Sequence, residues 1–376
     1  MLSRFRVEHY KSLFDVDVKL EPLTVFIGPN GSGKSNVCEA LAIMSAMLRK
    51  TLDSQKDVDL RDLIFISHEI FNKSNLIKSI FWASKPDYLV FWASRAYEEG
   101  NNSSDQISDL HIRLDWNERT IISAISINNN QYYSEPKTGL RDFLLTRSYF
   151  KSTLSSDLRQ VKIYDFSPTS INDSEDSEES SKEMSKAGRG LAYALGDLLL
   201  DDRDNFDELE QRLCMLVPNI KRISLQRYDG NKFSLNLVDR YSDHRIPASE
   251  VSDGTLRILA FLTAIYQIET PSILCFEEIE NGVHPWLLHK MMELLKLIST
   301  EGINGKPVQV LITTHSPVLL NYVEPNQVRA VELDHEGKTQ IHSLPIESKA
   351  FQKALDAYDG ALGELWFTNV FGGNPE

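Results

Sequence analysis

The sequence has little of what secreted, metal-clustered or membrane-spanning proteins are built from. Its three cysteines, Cys38, Cys214 and Cys275, are too few and too scattered for a disulfide framework, and none has the spacing of a metal site. No stretch approaches the roughly 18 uninterrupted apolar residues of a membrane span, and the N-terminus has no apolar signal segment. These absences predict a cytoplasmic protein without a membrane partner, whose cysteines are small buried apolar residues.

Positive charge is also scarce. The chain has 40 Lys and Arg against 54 Asp and Glu, which gives a formal net charge of −14. A protein that coats nucleic acid through bulk electrostatics needs an excess of basic residues, so this class is disfavoured. Local basic groups remain at Arg141, Arg147 and Lys151 and at Lys186 and Arg189. These groups either line a groove for nucleic acid or are ordinary solvated surface charges.

Sustained heptads are absent too, so no long coiled coil is expected. We predict an α/β fold that forms one domain over residues 1–376, with a mainly parallel core sheet, because apolar strands alternate with helices from residue 256 onward. Residues 50–250 are expected to form an inserted portion of antiparallel β-structure and a short helical lid. A Ser-rich acidic tract at 172–183 within it is interpreted as a mobile, solvated loop.

Several elements are expected inside this inserted portion. Turn residues and apolar clusters predict strand pairs, two short helices and a β-hairpin. The expected segments are strands at 77–82, 88–93, 111–116 and 120–127, helices at 191–200 and 206–216, and hairpin strands at 223–228 and 233–238.

The sequence GPNGSGKS at residues 28–35 carries the strongest chemical signal. It matches the phosphate-binding pattern GxxxxGK[ST], and it lies between an apolar strand at 23–27 and a helix at 36–49. The glycines let backbone N–H groups converge on phosphate oxygens, Lys34 supplies positive charge, and the Ser35 hydroxyl can bind Mg²⁺. The predicted nucleotide-binding residues are Asn30, Gly31, Ser32, Gly33, Lys34, Ser35 and Asn36.

An apolar strand at 272–276 ends in two adjacent carboxylates, Glu277 and Glu278. In enzymes with a phosphate-binding loop, one acid at this place lies near Mg²⁺ and a second residue positions the nucleophile. We therefore expect Glu277 to be a metal ligand and Glu278 to be the general base. Alone the pattern is weak, because exposed acids commonly end strands; together with the loop at 28–35 it predicts ATP hydrolysis.

Two further segments complete the order of motifs within residues 251–320. Ser252, Gly254 and Thr255 open a predicted helix and resemble the signature motif that presents a helix N-terminus and a hydroxyl to a γ-phosphate. His315 follows an apolar strand at 308–313 and resembles a switch histidine. Either segment alone is more often structural than functional. Their order after the phosphate loop, with the paired acids between them, favours a nucleotide site.

This succession resembles the RecF/SMC-like branch of ABC ATPases, in particular the stand-alone bacterial ATPases related to the ATPase half of OLD-family nucleases. The stretch EEIENGVHP at 277–285 is similar to the EEPExGLHP segment of that branch, and FRVEHYKS at 5–12 resembles its opening strand and turn. Ile279 stands in place of the usual Pro, and Glu277 in place of the more frequent Asp. A glutamine of a Q-loop is not recognisable.

The resemblance implies an ABC-type P-loop fold and an ATP-closed homodimer or higher oligomer, in which the signature of one subunit covers the ATP of the other. It also implies that Glu278 activates water, with His315 near the γ-phosphate and with Lys34 and Mg²⁺ stabilising the transition state. The implied partner is an effector such as a nuclease encoded nearby, in DNA repair or antiphage defence.

Three other functions compete with this one. A nucleotide-gated scaffold would bind ATP tightly with little turnover. An ABC transporter subunit would need a docking surface for a membrane domain, centred on a Q-loop. A nuclease in its own right would need a cluster of metal-binding acids, and the segment after His315 is too short for a separate catalytic domain. A shared fold does not decide among these functions.

Overall fold

The computed structural model describes residues 1–53, 88–95, 107–115, 120–127, 130–133, 157–172, 183–228, 232–303 and 305–373. The strand expected at 77–82, most of the acidic tract, and the basic residues Arg141, Arg147 and Lys151 lie outside these ranges. Within them, no helix combines the length and the apolar character that crossing a membrane requires.

Strands and helices follow one another along the described part of the chain. The strands are β1 (Arg4–Tyr10), β2 (Leu13–Lys19), β3 (Leu23–Ile27), β4 (Tyr88–Ser94), β5 (Ile107–Asp115), β6 (Thr120–Ile127), β7 (Asn130–Tyr133), β8 (Val161–Tyr164), β9 (Ile220–Tyr228), β10 (Lys232–Asp239), β11 (Arg245–Pro247), β12 (Ile273–Glu277), β13 (Gln309–Thr314), β14 (Val328–Leu333) and β15 (Thr339–Ser343). The helices are α1 (Lys34–Asp53), α2 (Pro168–Asn172), α3 (Leu191–Asp201), α4 (Arg203–Leu216), α5 (Asp253–Tyr266), α6 (Pro285–Thr300), α7 (Pro317–Leu320), α8 (Lys349–Ala357) and α9 (Leu362–Phe367).

The core is a six-stranded sheet in the order β15-β14-β3-β13-β12-β8. Neighbouring strands from β14 to β8 run parallel, and β15 pairs antiparallel with β14 at one edge. The predicted mainly parallel sheet is therefore confirmed. The short strand β8 and the edge strands β14 and β15 were not predicted.

Both faces of the core sheet are buried, which is why β3, β12 and β13 are buried along their whole length. Side chains alternate between the faces, so Cys275 of β12 belongs to one core cluster and its neighbour Phe276 to the other. α1 packs on the first face together with β1, β2 and β4, whereas α3 to α6 pack on the second.

The prediction that the cysteines are buried is confirmed for two of the three. Cys38 and Cys275 are fully buried, as predicted. The prediction is wrong for Cys214, which is only partly buried near the end of α4, where its Sγ donates to the Lys221 carbonyl at 3.2 Å.

A second, antiparallel sheet has the order β2-β1-β4-β5-β6-β7. β4 pairs with β1, placing Phe91 opposite Val7, and it also pairs with β5. The predicted pairing of β5 with β6 is confirmed. The N-terminal hairpin of β1 and β2 and the strands β4 to β7 therefore belong to one sheet. α1 lies in the apolar cluster that this sheet shares with the core sheet.

The helices α3, α4 and α5 pack together and form, with a small sheet of order β11-β10-β9, a helical lobe. The predicted helices α3 and α4 and the predicted antiparallel pairing of β9 with β10 are confirmed. Of the segment 50–250, the structure thus places β8 in the core sheet, β4 to β7 in the antiparallel sheet, and α3 to β11 in the lobe. The boundaries proposed for an inserted portion stay a prediction.

A buried aromatic cluster joins the lobe to the core sheet. Phe276 of β12 lies 5.9 Å from Tyr164 of β8 and 5.1 Å from Phe261 of α5, measured between ring centroids. All three rings are almost completely buried. Aromatic pairs in this range contribute beyond their buried area. The strand that ends in Glu277 is thereby packed against the helix that carries the predicted signature.

We predict that Phe276→Ala lowers the free energy of unfolding by about 3–5 kcal/mol, since it leaves a cavity between β12 and α5. Urea denaturation followed by circular dichroism measures the loss. Tyr241→Ala is the control, because Tyr241 is 82% exposed; its effect should stay within about 0.5 kcal/mol. Equal losses in the two variants would contradict the role assigned to the cluster.

Candidate nucleotide-binding site

The predicted motifs meet at one edge of the core sheet. β13 lies between β3 and β12, and the three strands run parallel, so their carboxyl ends face the same side. The loop at 28–33 follows β3, Glu277 ends β12, and His315 follows β13. In register, Thr313 lies opposite Glu277. Ligands of open α/β sheets bind beyond the carboxyl ends of the strands, which is where these residues lie.

Glycines shape the loop for different steric reasons. Gly31 and Gly33 have φ angles of 80° and 100°, a region that residues with a side chain rarely adopt. Gly31 faces open space, whereas a Cβ on Gly33 would lie 2.1 Å from Oγ1 of Thr339. A Cβ on Gly28 would lie 2.0 Å from the carbonyl oxygen of Val331 on β14. α1 begins directly after the loop, and its N-terminus favours an anion there.

Two hydroxyl residues support the loop from behind. Ser12, in the turn between β1 and β2, and Thr339, at the start of β15, lie 2.7 Å apart between their hydroxyl oxygens. Thr339 Oγ1 donates to the carbonyl of Ser32 at 2.8 Å, and Asn36 Nδ2 donates to Ser12 Oγ at 2.8 Å. Sequence reasoning missed this role of both residues. A threonine so far along the chain from the loop carries no local signal of it.

Lys34 reaches back over the loop. Its Nζ donates to the carbonyls of Gly28 and Pro29 at 2.7 and 2.8 Å, and the residue is buried. Burial lowers the pKa of Lys34, and the carboxylates of Glu278 and Glu280 act in the opposite direction. The ammonium group therefore lies within electrostatic reach of the acids that follow β12.

Glu277 and Glu278 are neighbours in sequence with different surroundings. Glu277 is buried, whereas the side chain of Glu278 is 36% exposed. Glu278 has a φ angle of 48°, which is uncommon for a residue other than glycine and typical of strained functional positions. Its N–H donates to the Thr313 carbonyl at 2.8 Å, and Asn281 Nδ2 donates to its Oε2 at 2.8 Å. The accessible acid is thus the one predicted to be the base.

Glu280 is a site residue that sequence reasoning did not single out. Its Oε1 accepts hydrogen bonds from Thr314 Oγ1 at 2.6 Å and from the His315 N–H at 3.2 Å. Nδ1 of His315 lies 3.5 Å from Oε1 of Glu278 and 3.8 Å from Oε1 of Glu280. Glu280 therefore positions the histidine loop, and the structure brings His315 and Glu278 together. The sequence signal for Glu280 is its place as the third acid of EEIE.

The predicted signature residues lie at the N-terminus of α5. Ser252 is exposed and caps the helix, with its Oγ accepting from the Thr255 N–H at 3.4 Å and lying 2.9 Å from Thr255 Oγ1. A Cβ on Gly254 would lie 2.9 Å from the carbonyl oxygen of Gly282. The helix thus packs closely on the loop that follows the acids. Its contact with ATP held by a second subunit stays a prediction.

Lys186 contradicts one of the interpretations made from the sequence. Its Nζ lies 2.7 Å from Oε2 of Glu277, so it is not an ordinary solvated surface charge. Burial opposes the charged form of Lys186, but Glu277, together with Glu39 and Asp165, outweighs burial and raises the pKa of the lysine. Burial also raises the pKa of Glu277, more than Lys186 lowers it. The charge of the lysine is retained because its carboxylate partner is within hydrogen-bond distance.

Buried polar atoms show what fits this edge of the sheet. Among the described residues, buried side-chain atoms without a hydrogen-bond partner include Ser32 Oγ, Glu277 Oε1, Glu280 Oε2, Thr313 Oγ1 and His315 Nδ1. Buried polar atoms are normally satisfied, so this convergence fits a polyanion with a bound cation. Ser35, the second residue of α1, and Glu277 are the side chains suited to Mg²⁺.

The two glycines with positive φ provide a matched test of this loop. An alanine in the left-handed region costs about 1–2 kcal/mol at either position. Gly33→Ala should lower the free energy of unfolding further, because its Cβ meets Thr339 Oγ1 and Ser12 Oγ, whereas Gly31→Ala meets nothing. Urea denaturation of both variants checks the order. Adding Thr339→Ala to Gly33→Ala should recover part of the loss, and the absence of recovery would count against the contact.

Comparison with known proteins agrees with this geometry. Residues 23–321 match the family described as "AAA domain, putative AbiEii toxin, Type IV TA system". The chain is 21% identical to the OLD nuclease of Thermus scotoductus over 95% of this chain and 66% of that protein. A stretch of 54 residues, 14% of this chain and 13% of the relative, is 37% identical to the DNA replication and repair protein RecF of Corynebacterium jeikeium.

Among solved structures, an SmcHead bound to the C-winged helix domain of ScpA superposes with a TM-score of 0.56 at 14% identity. The match covers 93% of this chain and 99% of that one, and it confirms an SMC head-like α/β fold. The chain spans 66% of the length of the OLD nuclease. Because the family match extends over most of the chain, this protein belongs to the AAA-domain family so described, and its sequence is similar to those of an OLD nuclease and a RecF protein.

Proposed function

We propose that this protein is a Mg²⁺-dependent ATP hydrolase that works as an ATP-closed dimer. The observation that carries the proposal is the convergence of Lys34, Glu278 and His315, together with unpartnered buried polar atoms, at the carboxyl edge of one parallel sheet. Such an arrangement places positive charge, a base and a polar side chain around one reacting phosphoryl group.

Each residue has a part that its position supports. Lys34 and the N-terminus of α1 bind the β- and γ-phosphates. Ser35 and Glu277 would hold Mg²⁺, which neutralises phosphate charge. The exposed Glu278 carboxylate accepts a proton from water as its oxygen attacks the γ-phosphorus and ADP leaves. Asn281 orients one oxygen of Glu278 by a 2.8 Å hydrogen bond.

Glu280 positions His315, the third of the three converging side chains. The backbone N–H of His315 and the hydroxyl of Thr314 are both held by Oε1 of Glu280. The imidazole thereby lies beside Glu278 at the edge where the γ-phosphate would be bound. A fixed donor at this place requires no reorganisation as charge develops on the phosphoryl oxygens.

Dimer closure is proposed from the exposure of the signature. Ser252 is exposed at the N-terminus of a 14-residue helix, which its side chain caps. A helix N-terminus binds phosphate oxygens through its N–H groups. We propose that Ser252, Gly254 and Thr255 cover the ATP of a second copy, as the resemblance implies.

The biological role proposed is that of a sensor or motor subunit that passes its ATPase cycle to an effector, such as a nuclease encoded nearby, in antiphage defence or DNA repair. The support is the similarity to an OLD nuclease and to a short stretch of a RecF protein. Nucleic-acid binding receives no support from Lys186, which pairs with Glu277.

A second candidate is a nucleotide-gated scaffold with little turnover. The observation that favours it is the same ion pair, since a lysine occupies one oxygen of the acid expected to bind Mg²⁺. The two candidates differ in the ratio of ATP binding to hydrolysis.

We predict that Lys34→Ala abolishes ATP binding, because it removes the buried ammonium group of the loop. Glu278→Gln should retain ATP and lose hydrolysis by about 10²- to 10⁴-fold, the size of a lost general base. Binding of a fluorescent ATP analogue and single-turnover phosphate release measure the two steps. Glu336→Gln, at an exposed carboxylate in the β14–β15 turn, is the control.

If Glu278→Gln hydrolyses ATP at the wild-type rate, Glu278 is not the general base. Tight ATP binding by the natural chain, without measurable hydrolysis, would favour the scaffold.

The dimer prediction concerns the signature. Ser252→Arg should leave ATP binding intact and abolish ATP-dependent dimerisation, since a bulky side chain would face the partner's γ-phosphate. Light scattering with Glu278→Gln as background and ATP present measures the assembly. Ser343→Arg, exposed at the opposite edge of the sheet, should still dimerise. Dimers of unchanged size in Ser252→Arg would show that α5 is outside the interface.

A further inference from the structure

The ion pair between Lys186 and Glu277 lies at the border between the core sheet and the helical lobe. Nζ and Oε2 are 2.7 Å apart, and the Glu277 side chain is only 8% exposed. The second oxygen, Oε1, has no hydrogen-bond partner among the described residues. Glu277 thus uses one oxygen for an internal cation, and the other is left for a ligand.

The backbone holds Lys186 in this place. The N–H of Asp165, just beyond β8, donates to the Lys186 carbonyl at 2.8 Å, and the Ser167 N–H donates to the Ala187 carbonyl at 3.1 Å. Gly188, with a φ of 91°, packs so closely that a Cβ would lie 2.6 Å from Ile171. The segment therefore lies along the end of β8, the strand that pairs with β12.

The same segment continues into the lobe that carries the signature. α3 begins at Leu191, directly after Gly190 in a left-handed conformation. Buried leucines of α3, among them Leu195 and Leu198, belong to the core cluster that contains most of α5. A displacement of the segment that carries Lys186 would therefore reach α3, and through α3 the helix that begins beside Ser252.

Two cations compete for one buried carboxylate here. An ammonium group and a divalent ion that both contact Glu277 repel each other at low exposure, where charges are weakly screened. The carboxylate binds Mg²⁺ more strongly when the lysine withdraws.

We propose that Lys186 is a positioning residue that competes with Mg²⁺ for Glu277 and thereby couples the binding of Mg²⁺ and nucleotide to the position of α3 and of the signature helix. This inference rests on the proposed function. The proposal supplies a link between the nucleotide and the lobe. No Q-loop glutamine that could provide this link is recognisable in the sequence.

The test measures binding without turnover. A fluorescent, non-hydrolysable ATP analogue is held at fixed concentration with the full chain while Mg²⁺ is titrated. Lys186→Met should lower the half-saturating Mg²⁺ concentration by about tenfold, the equivalent of one hydrogen bond to a charged group. Lys186→Arg keeps the charge and should stay close to wild type.

Lys162→Met is the matched control, because Lys162 pairs with Glu183 of the same segment and does not contact Glu277. It should leave the Mg²⁺ midpoint unchanged. An equal shift in Lys162→Met would overturn the proposal, since both lysines would then only anchor the segment.

A second readout follows the lobe. Hydrogen exchange of residues 185–201 should increase in the wild-type chain when Mg²⁺ and the analogue are added, and the same addition should cause no further change in Lys186→Met. An unchanged Mg²⁺ midpoint in a folded Lys186→Met protein would overturn the proposal. Absence of any Mg²⁺-dependent binding by the wild-type chain would overturn the proposed function together with it, so the two failures are distinct.

A buried, unpaired Glu277 can prevent Lys186→Met from folding. In that case the pair Glu277→Gln and Glu277→Gln/Lys186→Met decides, because neither leaves a buried carboxylate. If Lys186 acts through Glu277, the two variants have the same Mg²⁺ midpoint within about twofold, as expected when a shared partner is already removed. A clear difference between them would show that Lys186 acts elsewhere.

Discussion

Parallel pairing of β3, β13 and β12 is the constraint on which the site depends. Neighbouring strands lie about 4.8 Å apart, so the residues that follow them come within reach of one another without long flexible loops. Because both faces of the sheet are buried, most side chains of these strands pack in the core and do not face a ligand. The candidate functional groups therefore lie at the ends of the strands or in the segments just after them, as Glu277, Glu278 and His315 do. The next strands of the sheet, β14 and β15, bring Val331 and Thr339 behind the loop.

The second constraint on this edge of the sheet is that its buried charged side chains need compensating partners. A buried ion is costly unless a partner or a set of hydrogen bonds compensates it. Glu277 has Lys186, Glu280 has the Thr314 hydroxyl and the His315 N–H, and Lys34 has two carbonyls of its own loop. Each compensation is partial, since Glu277 and Glu280 both retain an unpartnered oxygen. These unpartnered oxygens lie at the edge where we propose that a cation and phosphates bind.

Two contacts between the core sheet and the helical lobe are the basis of the proposed coupling between Mg²⁺ binding and the position of the lobe. The lobe touches β12 through the aromatic rings of Phe261 and Phe276, which resist separation, and through the pair of Lys186 with Glu277, which a cation can open. Gly254 lies against the Gly282 carbonyl near the same place. One contact is apolar and another is ionic, so under the proposal a cation acts on the ionic contact while the aromatic contact is retained.

Much of the site could be predicted because its chemistry requires particular residue types at short spacing. The phosphate loop, the paired acids and the histidine after a buried strand were all recognisable in this way. β8 has four residues and is too short to show the alternation of apolar and polar residues that identifies a strand. Nothing in the pattern of β14 and β15 indicated that they extend the sheet beside β3. Lys186 was interpreted as a surface charge, since a lysine beside an acidic tract looks the same whether it is solvated or paired.

The sequence by itself predicted a phosphate-binding motif between a strand and a helix, two acids at the end of a buried strand, and the alternation of strands with helices, because these patterns depend on residues that are close in the chain. Only the tertiary structure decided that Thr339 supports the loop, that Glu280 holds the His315 backbone and that Lys186 faces Glu277. Each of these contacts joins separate segments of the chain, and their partners are selected by which strands become neighbours in the sheet.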